Sequence, residues 1–302
     1  MTAAEDYLSE SRAVTIDERE IAVAGLPAHY LVAGEGPPLL LLHGDGESAH
    51  DWRRVLPGLA RTHRVVAPDL PGFGGSAKPP GDYSPASFAR FAAALLDALE
   101  IERATVVGNS LGGLVALRLA LAEPGRVSAL VLAASAGLGR AVSPLISSLT
   151  WPVYGELAIA WARTPLGARQ RAQGRGTLLF GRPERVPDDW VAEQARLARR
   201  PGFLEAALTA LRATTGPTGQ RDVVLDRLPS LTMPTLVVWG ERDRVFPLQQ
   251  AREAVARLPH GRLALLPDCG HLPPVECPDA FLAAVAEFLE AETPAEGARA
   301  SA

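Results

Sequence analysis

Of 302 residues only one is lysine, Lys78, and only two are cysteine, Cys269 and Cys277. The two cysteines lie close together near the C-terminus with no second pair, so neither a disulfide framework nor a zinc site is expected, and a reduced cytoplasmic setting fits. A chain of this length buries roughly three quarters of its extended surface and needs no covalent staple. Positive charge is almost all arginine, which reads as compositional bias and not as a phosphate site. The formal net charge of −4 lacks the basic excess that nucleic acid demands. No apolar run approaches the roughly 20 residues of a membrane span, because Ser110 and Arg118 interrupt the longest candidate. The start, MTAAEDYLSES, has neither a basic beginning nor an apolar centre, so no signal peptide is expected. Nucleic acid and membrane are thus not expected partners.

With 47% hydrophobic and 21% charged residues, the composition is that of an ordinary globular protein. Apolar runs bounded by Gly, Pro and Asp read as strands: PPLLLLHG, RVVAPDLPG, ATVVGNS, SALVLAAS, PTLVVWGERD and RLALLPDCGH. Most are continuously apolar, as parallel strands buried on both faces are. They alternate with helical patterns such as FARFAAALLDALE, which argues for an α/β class with a doubly wound, mostly parallel sheet. AVTIDEREIAV and AHYLVAG read as an antiparallel hairpin at the sheet edge. No internal repeat is visible.

From about residue 136 to 225 the alternation stops and Pro- and Gly-punctuated helical segments follow with no clear strand, the pattern of an inserted helical cap. The expected division is 1–135 and 226–302 for the core and 136–225 for the cap, with the tail ETPAEGARASA disordered. Trp151, Trp161, Trp190, Tyr154, Phe180 and Phe203 fall in the cap. They are expected to form chiefly its own core, the alternative being a lid over an apolar pocket. Twelve arginines against seven acids give the cap a charge near +5 and leave the body near −9. The two parts can attract one another, and one arginine could grip a substrate carboxylate.

The stretch ATVVGNSLGGLVALRLA sets three glycines where a strand meets a helix. It has neither the Gly-x-Gly-x-x-Gly of a dinucleotide site nor the Gly-Lys-Ser/Thr of a P-loop. It does contain Gly-x-Ser-x-Gly, from Gly108 to Gly112. That pattern suits a sharp turn that lifts the Ser110 hydroxyl clear of the sheet, with close neighbours kept small. A serine hydroxyl is a weak nucleophile and needs a base and an orienting acid. His271 follows one apolar strand and Asp243 the strand before it, in the order Ser, Asp, His. Asp268 is too near His271 in sequence to reach its ring easily, and Asp226 is a weaker competitor. His29, His43, His50, His63 and His260 are expected to be structural or exposed, and Cys269 a buried filler.

Acyl chemistry also needs two donors for an oxyanion. The backbone amides of Leu111 and of Asp45, the latter in the loop His43-Gly44-Asp45-Gly46 after LLLL, are the candidates. A carboxylate there would oppose the developing charge, so that of Asp45 should point away or be neutral.

HGDG, DLPGFGGS, GNSLGG, WGERD and the Gly270-His271 pair together resemble the α/β-hydrolase superfamily over roughly residues 14 to 290. The resemblance implies no cofactor, no metal, a small-molecule substrate and hydrolysis of esters, amides, thioesters or carbon–carbon bonds. Members acting on epoxides and haloalkanes carry Asp where Ser110 stands and are set aside. GNSLGG and AGLG, from Ala136 to Gly139, are similar to the hydrolases of meta-cleavage products. That subfamily usually has Trp at the place of Leu272 and a Gly-Pro-rich loop where this chain has GDGES. The expected activity is therefore a carboxylesterase for small to medium apolar substrates, with a carbon–carbon hydrolase of 2-hydroxy-6-oxo-dienoates as the alternative. A non-catalytic ligand-binding relative is a third reading, which reaction of Ser110 with a fluorophosphonate would exclude. Self-association into a homo-oligomer stays open.

Overall fold

The computed structural model describes residues 14–292. The readings made above of the first eleven residues and of the C-terminal tail lie outside that range. An eight-stranded sheet has the order β1-β2-β4-β3-β5-β6-β9-β10. Its strands are β1 (Asp17–Val23), β2 (Leu26–Ala33), β3 (Pro38–Leu42), β4 (Arg64–Pro68), β5 (Ala104–Asn109), β6 (Val127–Ala133), β9 (Thr235–Gly240) and β10 (Gly261–Leu266). β1 and β2 form the antiparallel hairpin, β2 runs antiparallel to β4, and every other neighbouring pair is parallel.

Alternation along each strand sends successive side chains to opposite faces. Leu40, Leu42 and Val106 join one apolar core with helices α1 (Pro85–Ala98) and α2 (Leu111–Ala122). Leu39, Leu41 and Val107 join the other, against the C-terminal helix Pro278–Glu292. Both faces are covered, which is why β3, β5 and β6 read as unbroken apolar runs. β10 departs from that pattern. It lies at the sheet edge, and its Leu263 and Leu265 are only partly buried.

Between the adjacent strands β6 and β9 the chain makes five helices: α3 (Pro144–Ser148), α4 (Tyr154–Ala162), α5 (Pro165–Leu179), α6 (Asp188–Ala198) and α7 (Phe203–Thr214). Two two-residue strands then follow, β7 (Thr215–Gly216) and β8 (Gly219–Gln220). They are too short to leave an apolar pattern, so the sequence gives no sign of them. The six aromatic rings of this segment divide. Phe180, Trp190 and Phe203 are fully buried, with Phe180 edge-on to Trp190 at 5.2 Å, whereas Trp151, Tyr154 and Trp161 are each about half exposed. Lys78 is a structural clamp, donating to the carbonyls of Gly74 and Ser76 at 2.9 and 2.8 Å. Among the described residues no helix is long and apolar enough to cross a membrane.

Candidate active site

β5 ends in a turn that strains one residue. Ser110 has φ 53° and ψ −115°, a conformation that costs a non-glycine residue on the order of 1–3 kcal/mol. Its backbone is held on both sides: Ser110 N–H donates to Ala133 O at 3.0 Å, and Ser110 O accepts from Gly113 and Ala136. The glycines are there for room. A Cβ on Gly108 would collide with the backbone of Gly112, and one on Gly112 with the carbonyls of Leu42 and His43. The first turn of α2 can therefore press against the end of β3.

That turn aims the Ser110 hydroxyl at His271, with Oγ 2.9 Å from Nε2. The other ring nitrogen, Nδ1, is 2.9 Å from Asp243 Oδ2. Asp243 Oδ1 in turn accepts the amides of Val245 and Phe246 at 2.7 and 3.1 Å. A carboxylate that only accepts places the ring proton on Nδ1, so Nε2 is free to take the hydroxyl proton. Phe246 packs edge-on to the imidazole at 5.1 Å. Neither competing acid approaches the ring. Asp268 pairs with Arg182 and Arg242 at 2.7 and 2.6 Å, and Asp226 is exposed and pairs with Arg257.

The loop after β3 is fixed by His43, whose Nε2 accepts the Leu70 amide at 3.0 Å and whose Nδ1 donates to Gly44 O at 2.8 Å. That tautomer requires a neutral ring, and burial lowers the His43 pKa in the required direction. Neither the Asp45 nor the Leu111 amide has a hydrogen-bond acceptor among the described residues. Both N–H groups are therefore unpaired among these residues. Burial pushes the Asp45 carboxyl up to about 7, against the pull of Arg175 and Arg171. It is thus protonated below about pH 6 and ionises through neutrality, so the objection to an acid at this place holds only on the alkaline side.

Two groups of residues escape sequence reasoning. The first is a buried network that joins the β3 loop to the inserted helices. Arg175 donates to Asp45 O at 3.1 Å and to Glu47 Oε1 at 3.0 Å, while Trp190 Nε1 donates to Asp51 at 3.1 Å. Burial, with Glu47 beside it, raises the Asp51 pKa well above the carboxylate range. The single local signal was the i, i+4 spacing of Arg171 and Arg175, which sets both on one face of α5. The second is Glu276. Its carboxylate accepts the amides of Gly270, Gly181 and Arg182 at 2.6, 3.0 and 2.9 Å, tying the residue before His271 to the end of α5. At the same crossing His271 N–H donates to Leu179 O at 2.6 Å.

The remaining histidines lie away from Ser110. His29 bonds to the buried Asp69 at 2.8 Å, which raises its pKa, and Asp69 also holds the amides of Ala49 and Gly75. His63 contacts Thr62, His50 sits near Arg53 and Glu193, and His260 is exposed. Cys269 is buried and a free thiol, and its hydrogen bond to the free Cys277 together with burial pushes the thiol far upward, so it offers no thiolate.

A cavity of about 460 Å³ runs through the inserted helices to this loop. Leu145, Tyr154 and Trp161 line it on the side of the exposed helices and Asp45, Gly46 and Leu179 on the side of the β3 loop; Ser110 and His271 do not line it themselves, and Leu179, whose carbonyl holds the His271 amide, links it to them. Its wall is mostly aliphatic. Arg171 is the exception of most interest: it is half-buried, desolvation lowers its pKa to about 9, and its one side-chain hydrogen bond is to Gln194 Oε1 at 3.3 Å.

The family model described as "alpha/beta hydrolase fold" matches residues 37–278. A 2-hydroxymuconate semialdehyde hydrolase of Pseudomonas sp. is 34% identical over 283 residues, covering 90% of this chain and 93% of that protein. Among solved structures, the 2-hydroxy-6-oxo-6-phenylhexa-2,4-dienoate hydrolase of Rhodococcus sp. superposes with a TM-score of 0.78 at 28% identity, covering 92% of this chain and all of that one. A membrane phospholipase A described as a bacterial virulence factor superposes with a TM-score of 0.77 at 28% identity, over 92% of this chain and 86% of that one.

Proposed function

This chain belongs to the alpha/beta-hydrolase-fold family, and on that premise we propose that it cleaves a carbon–carbon bond next to a ketone in 2-hydroxy-6-oxo-dienoate-type acids. The observation that carries the reading is Arg171. A half-buried guanidinium with no carboxylate oxygen within 4 Å among the described residues has lost part of its hydration and gains from an anion that joins it. It stands on the wall of the cavity that ends at Asp45, so a substrate carboxylate is the fitting partner. Two of the three proteins named above, the 2-hydroxymuconate semialdehyde and phenylhexadienoate hydrolases, act on this substrate class by their names, whereas the third is a phospholipase.

In this reading His271 takes the Ser110 proton as Oγ attacks the ketone carbon, and the Asp45 and Leu111 amides hold the oxyanion. Breaking a carbon–carbon bond needs somewhere for the electron pair to go. The 2-hydroxy dienoate first ketonises, its 2-hydroxyl proton moving to C5; the pair released from the C5–C6 bond then runs along the conjugated chain onto the 2-oxo oxygen beside the carboxylate, near Arg171, and the His271 imidazolium protonates the resulting dienolate. Water activated by His271 then frees the acid from Ser110. This reverses the order of preference drawn from Leu272 and the GDGES loop. Those two features, with the aliphatic cavity wall, favour the second reading, a carboxylic ester hydrolase acting through the same acyl-enzyme.

Steady-state kinetics on a 2-hydroxy-6-oxo-dienoate and on p-nitrophenyl butyrate separate the two. Arg171→Gln should lower kcat/KM for the dienoate by on the order of 10- to 100-fold, the worth of a charge-assisted bond, and leave the ester within a few-fold. A wild-type enzyme that turns over the ester and ignores the dienoate would establish the second reading.

A further inference from the structure

Seven of the eight large hydrophobic side chains exposed among the described residues fall between 145 and 166. Leu145 is on α3 and Trp151 and Val153 precede α4. Tyr154, Leu157 and Trp161 follow at i, i+3 and i+7 on α4, and Leu166 opens α5. Tyr154, Leu157 and Trp161 share one helix face. Val153 holds a positive φ of 70°, which a β-branched residue rarely accepts, and its side chain is two thirds exposed. Contiguous exposed apolar surface of this kind marks an interaction site.

We propose that this face docks on a lipid surface, with the cavity mouth turned toward the lipid. Three observations select that occupant. The patch is continuous with the cavity: Leu145, Tyr154 and Trp161 are more than half exposed and also line it. A second copy of the chain seated there would close the mouth, whereas a lipid surface leaves it open to an amphiphile that passes in without crossing water. Next, the side chains are those of an interfacial helix, in which aromatic rings with a polar edge sit among aliphatics at headgroup depth. Trp161 keeps its Nε1 bonded to Gln170 at 2.9 Å, so the ring can be buried without an unpaired donor. Finally, the charge is complementary to an anionic surface. Of the four arginines in residues 145–175, Arg171 and Arg175 line the cavity and face Asp45 and Glu47, which leaves Arg163 and Arg169 against the one acid, Glu156, on this segment's outer side. Arg169 is exposed with no acidic partner among the described residues, and Arg163 and Arg212 answer Glu205 and Glu156. The unpaired Arg169 gives this face a small positive excess on an otherwise acidic chain, which favours anionic lipid. A surface helix docks this way with no spanning segment.

The test is co-sedimentation with unilamellar phosphatidylcholine vesicles containing about 30% phosphatidylglycerol, at low and high salt. Tryptophan emission is read in parallel. Trp52, Trp190 and Trp239 are fully buried and Trp151 and Trp161 half exposed, so a blue shift on binding reports the patch. The full chain should bind, shift its emission and be weakened by salt. Leu157→Gln with Leu166→Gln, neither of which lines the cavity, should reduce vesicle partitioning by on the order of tenfold or more and leave turnover of a soluble substrate unchanged. Arg169→Gln should weaken binding to the anionic vesicles alone. Absence of wild-type binding, or binding unaltered in the double variant, overturns the proposal. So does a light-scattering dimer that the double variant converts to monomer while neither form binds vesicles, since the face then belongs to a second copy.

Discussion

Asp45 puts a titratable carboxyl on the loop whose amide is assigned to the oxyanion, and Asp45→Asn isolates its charge. Burial holds its pKa at about 7, so the wild-type side chain gains a negative charge as pH rises from about 6 to 8. Taking roughly 6 to 8 Å between that charge and the oxyanion, and an effective dielectric constant of about 20, the repulsion is about 2 to 3 kcal/mol, or roughly 30- to 100-fold in rate. A general base must be neutral to work, which gives an acid limb and cannot give an alkaline fall. The wild-type kcat should therefore be bell-shaped, and Asp45→Asn should keep the acid limb and lose the alkaline one. Initial rates on a soluble ester between pH 5 and 9 measure both. Stability carries the same signature. The folded pKa of Asp45 lies above the unfolded value of 3.8, so the folded state binds more protons between pH 4 and 7 and stability falls as pH rises through that window. Asp45→Asn should flatten this part of a melting-temperature profile. Asp51 and Arg171 also titrate in the same buried network. An alkaline limb that persists in Asp45→Asn would assign it to one of them and refute the reasoning.

Ser110→Ala and His271→Ala should each lower kcat by on the order of 10⁴ to 10⁶, and Asp243→Asn somewhat less, with unchanged circular dichroism; most activity surviving in Ser110→Ala would end the nucleophile assignment. Glu276→Ala leaves the three amides of Gly181, Arg182 and Gly270 without their acceptor, each orphan costing on the order of 1–3 kcal/mol. It should lower the melting temperature and reduce kcat more than it raises KM, because the His271 loop loosens. Equal losses in kcat and in folded fraction would reduce Glu276 to a purely structural role.

The Ser110 turn was legible because its causes are local. A strained φ and the close approach of α2 to β3 demand glycine at 108 and 112, and that demand is written within five residues. The alternation of strands and helices was legible for the same reason: Leu39 and Leu40 face opposite cores whatever lies beyond them. Asp243 and His271 could be placed because each ends an apolar run, and the ends of neighbouring parallel strands lie on one edge of the sheet. Trp151 and Trp190 read alike in sequence, yet one is half exposed and the other buried against Phe180. Nothing in the first five residues around Glu276 says that it will be buried; only the crossing of α5 over the His271 loop removes it from water and gives it three donors. Asp45 could be assigned an amide from its place after β3, but its raised pKa comes from burial, opposed by Arg175 and Arg171, more than a hundred residues away in the chain. The sequence by itself determined the strand pattern, the turn and the order of Ser110, Asp243 and His271, since these follow from backbone sterics and side-chain alternation among near neighbours. Only the tertiary structure decided which arginine faces the cavity, which acids hold protons and which aromatic rings meet the solvent, because burial and electrostatic energy are set by every group that packs nearby, however distant along the chain.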